Sequence, residues 1–365
     1  MSGFLPSIES FAKGATATAA GIGTVGVGLL FFGQNYLIYP SAFPPGSRTE
    51  VPVPTDFDLP YEDLILTTPD NVKLRCYLLT QRKELPNHGV QPLEVEDDES
   101  NEEVRIYSFS AKRPTVIMFH GNGGNVGHRI PLAKVFYVRM RCNVLMLSYR
   151  GYGLSEGNPS EKGIRIDAQC ALDHILHHPQ LSRTPIFLYG QSIGGAVAID
   201  LATRNKHIMR GLILENTFLS LPQLVPSAMP VLGPFAFLCH QKWDSASKVP
   251  LIPAETPMLL LSGTRDEVVP PEHMKGLWEL VQLRIPGGYR EGQFVPPVPP
   301  PPTEGADAAK DESAKTQGKS DGYSRFVEFD WGSHNDTCTQ PGYWTSVSSF
   351  VKTVVKAPPP PPTKD

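Results

Sequence analysis

The sequence predicts an α/β domain built on a mostly parallel sheet with helices on both faces. Five short, almost continuously apolar runs follow one another between residues 115 and 261, a pattern typical of strands that are covered on both sides. Segments with helical spacing of apolar residues separate these runs. This alternation of strand and helix is typical of doubly wound folds with right-handed crossovers. The length of 365 residues suits one large domain of this kind with appendages.

The predicted elements follow in chain order. A hairpin is expected first, because two apolar runs flank the turn Pro69-Asp70-Asn71. The runs are Leu64–Thr68 and Val72–Leu79 for the hairpin, then Thr115–Phe119, Val144–Tyr149, Ile186–Tyr189, Leu212–Leu214, Met258–Leu261 and Arg325–Asp330. Helical spacing predicts helices over 164–176, Ala196–Ala202 and Tyr343–Val355.

Three segments interrupt the alternation within a domain predicted to span residues 61–356. Residues 217–249 are apolar and rich in proline, and we interpret them as a small cap over the site. Residues 81–112 are rich in acidic side chains, and residues 285–322 combine proline clusters with a polar, charged stretch. We expect both of these segments to be disordered insertions. Residues 34–60 are Pro-rich and are predicted to be a linker.

An uncharged, mostly small and apolar segment, residues 14–33, precedes the linker. Roughly 20 such residues can cross a bilayer as a helix, and Tyr36 and Tyr39 follow where an interfacial aromatic belt would lie. We therefore predict a single-pass signal anchor after a short tail of residues 1–13, in the endoplasmic reticulum or another endomembrane rather than the plasma membrane. A cleaved signal peptide and a disordered or interfacial leader are the alternatives.

The side of the membrane that carries the domain stays open. Lys13, before the apolar segment, favours an N-terminus in the cytosol. The sequon Asn335-Asp336-Thr337 lies beside a predicted catalytic residue, and a glycan there would obstruct the site. Either the sequon is unused or the domain does not face a glycosylating lumen, and the second alternative opposes the orientation that Lys13 favours.

Composition excludes several other classes of protein. A net charge of −4 and a pI near 6.2 give no reason to expect nucleic-acid binding. The five cysteines are widely spaced without a C-x-x-C pair, so we expect neither disulfides nor a zinc site. His174, His177 and His178 have ligand-like spacing, but they close a helix, and a structural role is the simpler interpretation. No metal or cofactor is predicted. The proline-rich tail, residues 357–365, resembles ligands of SH3 and WW domains, although a solvated tail is the simpler expectation.

The strongest catalytic motif is Gly190-Gln191-Ser192-Ile193-Gly194, which follows one predicted strand and opens a helix. This is the G-x-S-x-G motif of a nucleophile elbow, and its position between a strand and a helix makes it specific. The elbow is a sharp turn that raises a serine hydroxyl above the sheet. Side chains flanking the turn would clash, which explains the glycines. The motif predicts an α/β-hydrolase fold with Ser192 as the nucleophile.

A serine nucleophile needs a base and an acid that orients the base. The expected chain order is Ser, acid, His. His334 follows the last predicted strand, whereas His273 lies in a predicted helix and is better explained as a packing residue. Asp266 follows the preceding strand and is the predicted acid, with Glu267 as the alternative.

The oxyanion hole requires two backbone N–H donors. One is expected from Ile193, directly after the nucleophile. The other is expected from the Gly-rich loop after Thr115–Phe119, with Asn122 as first choice and Gly123 as second. His120 is interpreted as a structural residue. The stretch from Ser148 to Ser155 should line the rim of the site and is assigned no catalytic role.

Five strings in order, FHGNGGNVGHR, SYRGYGLSEG, LYGQSIGGAVA, SGTRDEVVPPEHM and GSHNDT, resemble the fungal bud-emergence (Bem) family of membrane-anchored α/β-hydrolases. Their animal relative is α/β-hydrolase domain-containing protein thirteen. The resemblance covers Tyr36 to Val355 apart from the two insertions. It implies a triad of Ser192, Asp266 and His334, an N-terminal signal anchor and no cofactor. The acidic loop and the Pro-rich insertion depart from the compact family pattern.

The predicted activity is hydrolysis of a carboxylic ester or thioester through an acyl-serine intermediate. The apolar cap favours an apolar or lipid-like acyl substrate. A serine peptidase is the alternative within the enzyme class. A membrane-tethered scaffold without catalysis is the alternative from another class, motivated by the acidic and Pro-rich segments.

Overall fold

A computed structural model describes residues 28, 31–83, 109–293 and 323–358. These residues form an eight-stranded sheet with the strand order β1-β2-β4-β3-β5-β6-β7-β8. The strands are β1 (Glu62–Thr67), β2 (Lys73–Leu79), β3 (Thr115–Phe119), β4 (Asn143–Leu147), β5 (Ile186–Gln191), β6 (Met209–Glu215), β7 (Met258–Gly263) and β8 (Arg325–Phe329). Strand β2 runs antiparallel to both of its neighbours, and all other neighbouring pairs are parallel. The predicted α/β-hydrolase fold is confirmed.

The described helices cover both faces of the sheet. They are α1 (residues 31–38), α2 (Ile130–Lys134), α3 (Glu161–His177), α4 (Ile193–Arg204), α5 (Leu221–Ala228), α6 (Ser245–Lys248), α7 (Pro271–Gln282) and α8 (Tyr343–Lys356). A 3₁₀ segment, Pro230–Leu238, follows α5. Helices α3, α4 and α7 bury one apolar core against the sheet, and α2 and α8 bury a second on the opposite face.

The register of the parallel strands positions the site. In β3 and β5 every residue is buried, as the unbroken apolar runs predict. Phe119 is paired with Gly190, so both strands end at one edge of the sheet. The loops after β3, β5, β7 and β8 therefore meet at this carboxyl edge, where open α/β sheets bind ligands.

The segment predicted as a linker differs from that expectation. Helix α1 crosses the predicted border at residue 33, and the chain after it packs on the domain, with Tyr39 and Leu59 buried. The Tyr39 hydroxyl donates to Gln241 Oε1 (3.1 Å) and accepts from Trp243 Nε1 (2.9 Å). Tyr39 thus fixes the chain after α1 to the cap, and Leu59 packs in the core on the opposite face of the sheet.

Other predictions fall outside the described residues. These are the apolar segment up to residue 27, most of the two insertions and the tail after residue 358. Among the helices that the structure does describe, none has the length and hydropathy needed to span a bilayer. The signal anchor and the disordered insertions stay predictions.

Candidate active site

Ser192 occupies the sharp turn between β5 and α4. Its backbone has φ 55° and ψ −124°, a left-handed conformation that is strained for a residue with a Cβ. A Cβ on Gly194 would lie 2.1 Å from the carbonyl oxygen of Phe119, and one on Gly190 would lie 2.2 Å from that of Gly194. The turn has the geometry expected of a nucleophile elbow, and the two glycines are sterically required.

Asp266 and His334 meet as the sequence predicts. The His334 Nδ1 lies 2.8 Å from Asp266 Oδ2, and it donates this bond because an ionised carboxylate can only accept. The other oxygen, Oδ1, accepts from the amides of Val268 (2.9 Å) and Val269 (2.7 Å). Glu267 reaches only the backbone N–H of His334, at 3.4 Å. Asp266, and not Glu267, is therefore the carboxylate in contact with the imidazole ring.

Ser192 and His334 line the same cavity of about 460 Å³. Within the described residues, no hydrogen bond joins the serine hydroxyl to the imidazole. Nucleophile–base pairs are often longer or less well aligned before substrate binds and tighten afterwards. The site therefore brings the three predicted side chains to one edge of the sheet, with the acid–base contact already formed.

The loop carrying Asn122 is held by two segments distant in sequence. The Asn122 amide donates to the carbonyl oxygen of Ile38 and accepts from the Tyr152 hydroxyl (2.7 Å). Two residues on, the Gly124 N–H donates to the Phe43 carbonyl oxygen (2.9 Å). The end of α1, the chain after it and the loop after β4 together clamp the loop expected to supply an oxyanion donor.

The sequence did not reveal this clamp. Tyr152 was expected to line the rim of the site, but it is not among the residues that line the cavity, and Ile38 and Phe43 fall in the segment predicted to be a linker. The available signal for Tyr152 was its place after β4, a strand that ends at the same edge as β3.

A second set of missed residues lies at the end of β6, beneath the elbow. Glu215 is fully buried and accepts from the hydroxyls of Tyr189 and Tyr343, both at 2.5 Å, and burial raises its pKa. The adjacent Asn216 accepts from Gly263 N (2.8 Å) and donates to the His334 carbonyl oxygen (3.3 Å). These contacts tie the strand before Asp266 to the loop of His334.

Two other histidines considered from the sequence, His120 and His273, have packing and hydrogen-bonding contacts that indicate structural roles. His120 is buried against Tyr149, with ring centroids 4.2 Å apart, and burial lowers its pKa to about 3. His273 lies on α7, where its Nδ1 accepts from Leu219 N at 3.3 Å. In the described part of the chain, no group of three His, Cys, Asp or Glu side chains could hold a metal ion.

The cavity wall is apolar on the side of the cap. The side chains that form this wall are Phe218, Leu221, Leu224, Val225, Ala228 and Met229. Leu37, Ile38 and Phe43 close the cavity from the chain around and after α1. The cavity beside Ser192 thus has the mostly apolar lining that is typical of sites for apolar ligands.

Comparison with known proteins gives the family. The chain is 37% identical over 353 residues to Protein bem46 of Schizosaccharomyces pombe, covering 96% of this chain and 97% of the relative. The chain belongs to the Bem46 family. The Bem46-family resemblance drawn from the five strings is thereby confirmed. The chain is also 33% identical to the Uncharacterized membrane protein YNL320W of Saccharomyces cerevisiae, covering 90% of this chain and 92% of the relative.

Two broader comparisons agree on the fold of this Bem46-family chain. Residues 110–251 match a hydrolase family described as Hydrolase_4, "Serine aminopeptidase, S33". A solved structure of an esterase from Pyrococcus furiosus superimposes with a TM-score of 0.54 at 19% identity, covering 82% of this chain and 93% of that one. The chain accordingly has the α/β-hydrolase fold.

Proposed function

We propose that this protein is a serine hydrolase that cleaves a carboxylic ester or thioester of an apolar acyl group. The observation that carries the proposal is the strained Ser192 elbow in one cavity with the Asp266–His334 pair. Ser192 Oγ attacks the acyl carbon while His334 takes its proton, and the leaving group departs with that proton. Water, activated by the same imidazole, then releases the acid.

Developing negative charge on the acyl oxygen would be held by the backbone N–H groups of Ile193 and Asn122. Ile193 begins α4, so its N–H is one of the donors that a helix N-terminus leaves unpaired. The clamp on the Asn122 side chain would keep the second donor aimed at the same point, without reorganisation during the reaction.

A peptidase activity is the competing proposal, since the matching family is described as a serine aminopeptidase. An aminopeptidase must bind the ammonium group of its substrate, which calls for a carboxylate nearby. None of the described residues lining the cavity is acidic. The apolar wall favours acyl chains instead.

We also propose that the apolar N-terminal segment, residues 14–33, anchors the protein in an endomembrane as a single-pass signal anchor. The lack of charge over roughly 20 residues supports it. The name of the yeast relative, a membrane protein, agrees with this proposal.

A fluorophosphonate probe tests the nucleophile. The probe should label the wild-type protein and leave Ser192→Ala unlabelled, and only wild type should hydrolyse acyl esters and thioesters. Ser155→Ala is a matched control, because Ser155 lies on a neighbouring loop and its hydroxyl is engaged with the backbone of Ser148 (2.8 Å). Equal labelling of Ser192→Ala would refute the assignment, and faster cleavage of aminoacyl amides than of esters would favour the peptidase.

A further inference from the structure

An exposed apolar surface lies beside the catalytic cavity. It is formed by residues 31–43, which include α1, and by residues 229–238 of the cap, and we call it the apolar face. Sixteen large apolar side chains are exposed in the described part of the chain, and nine of them belong to this face. The nine are Phe31, Phe32, Tyr36, Leu37, Phe43, Met229, Val231, Phe235 and Phe237.

The two halves of the apolar face are joined. Gln34 on α1 accepts from the backbone N–H of His240 (2.9 Å), and its amide donates to the Leu238 carbonyl oxygen (3.4 Å). The Phe31 ring packs on the His240 ring with centroids 5.1 Å apart. Helix α1 and the cap therefore present one continuous surface.

This surface leads into the active site. A shallow apolar groove between α1 and the cap is lined partly by Leu37, Val225 and Met229. The same three residues also line the catalytic cavity that contains Ser192. An apolar chain lying on the face would thus find a continuous apolar path to the nucleophile.

The charge of the face indicates what covers it. Neither residues 31–43 nor residues 229–238 contain Asp, Glu, Lys or Arg. Proteins in water rarely expose apolar patches of this extent without a partner. Both segments therefore lack charged side chains that could form ion pairs with a protein partner, whereas a zwitterionic lipid surface requires none.

The chain before α1 supplies the second argument. The uncharged apolar segment that begins at residue 14 runs directly into Phe31 and Phe32 at the start of α1. Any membrane that receives this segment must therefore lie within a few residues of the apolar face.

We propose that the apolar face rests on the lipid bilayer, with Val231 and Phe237 inserted among the lipids and the cavity mouth at the membrane surface. The acyl substrate then enters from the bilayer along the groove between α1 and the cap, a consequence that rests on the proposed hydrolase function. Because the face has no basic residues, its binding needs no anionic lipid and resists salt.

Fluorescence quenching tests the location of the face. Full-length protein carrying Cys170→Ser, which removes the one native thiol that is not buried, is reconstituted in phosphatidylcholine vesicles. Val231→Cys or Phe237→Cys is labelled with an environment-sensitive fluorophore, and nitroxide lipids serve as quenchers. Val355→Cys on α8 is the matched control, since Val355 is also exposed and apolar but lies in neither segment.

The face labels should lose most of their fluorescence while the Val355 label keeps nearly all of it, at low and at high salt. Equal and weak quenching at all three positions would overturn the proposal and indicate that a protein or a second copy covers the face. Quenching that appears only with anionic lipids would also contradict it.

An activity measurement tests the entry path. In the same vesicles, Val231→Glu combined with Phe237→Glu should reduce hydrolysis of a long-chain ester dissolved in the bilayer by about 100-fold, the equivalent of losing two buried apolar side chains at about tenfold each. Hydrolysis of a water-soluble short-chain ester should be unchanged, as should both activities in Val355→Glu. An equal loss on both substrates, or no loss on either, would overturn the entry path.

Fluorophosphonate labelling of the same samples separates the two proposals. If the probe labels the protein but the labels on the face are not quenched, the proposed hydrolase function stands and the proposed membrane contact is wrong. If the labels on the face are quenched but the probe does not label the protein, the membrane contact stands and the hydrolase function is wrong.

Discussion

Asp266 and Glu267 are neighbours with the same charge, yet they contact different parts of His334. Asp266 meets the ring, and Glu267 meets only the backbone. The backbone amides of Val268 and Val269 fix the Asp266 carboxylate in place. A shift of one position along the chain therefore decides whether a carboxylate contacts the imidazole ring of His334 or only its backbone N–H.

Asp266→Asn should therefore reduce kcat by about 10³- to 10⁴-fold, because an amide favours the wrong ring tautomer. Glu267→Gln is the matched control and should alter kcat by less than about tenfold, since it leaves the ring contact intact. Steady-state kinetics on a short-chain ester measures both. Comparable losses in the two variants would contradict the assignment of the acid.

Tyr152 positions Asn122 without lining the cavity itself. Tyr152→Phe should lower kcat on a short-chain ester by about fivefold with little change in KM, because one good hydrogen bond is worth about 1 kcal/mol and a loose donor loop weakens only the transition state. Tyr137→Phe is the matched control, since the Tyr137 hydroxyl donates to Thr80 O (3.1 Å) in the opposite core.

Both tyrosine variants should lose a similar free energy of unfolding, and only Tyr152→Phe should lose kcat. A drop in kcat for Tyr137→Phe of the same size would show that the effect reports general destabilisation.

At the scale of elements, the elbow depends on close contact between β3, β5 and α4. The first turn of α4 passes so near β3 that Gly194 has no room for a methyl group. This contact lifts Ser192 to the carboxyl edge, where the loop after β3 arrives as well.

Gly194→Ala should accordingly lower the free energy of unfolding by about 3 kcal/mol and abolish labelling by the fluorophosphonate probe. Gly33→Ala in α1 is the control, because a Cβ there meets nothing within 4 Å and alanine is the better helix former. Chemical unfolding of the solubilised proteins measures the difference. Full stability and labelling of Gly194→Ala would contradict the packing argument.

At the scale of the whole molecule, buried histidines couple stability to pH. Burial lowers the pKa of His120 to about 3, against about 6.5 in an unfolded chain. The unfolded state then binds the extra proton between these values, so the free energy of unfolding falls as the pH drops from about 6.5 towards 3. Burial lowers the pKa of three more histidines in the same sense: His174, His178 and His273.

His120→Phe keeps a ring against Tyr149 and removes the proton site. We expect its free energy of unfolding to vary less steeply with pH in this window, by up to about 1.4 kcal/mol per pH unit. Unfolding curves at a series of pH values give both slopes, so a lower stability at neutral pH does not obscure the comparison. Parallel slopes would show that His120 is not a source of the acid sensitivity.

The sequence by itself determined the α/β architecture, the elbow at Ser192 and the pair of Asp266 and His334. These features are encoded locally, because unbroken apolar runs specify buried parallel strands and parallel strands bring their carboxyl ends to one edge. Glycine on both sides of the serine encodes a turn that no other residue could make.

Only the tertiary structure decided that the chain after α1 belongs to the site. The contacts of Asn122 with Ile38 and Tyr152 join positions 84 and 30 residues away in the chain. The contact with Ile38 is made by its backbone carbonyl group, which every residue has, so the residue type gives no sign of it. Proline content alone made this segment resemble a linker. The burial of Tyr39, and with it the wall of the cavity, depends on packing against the cap. The order of residues in the segment does not indicate this packing.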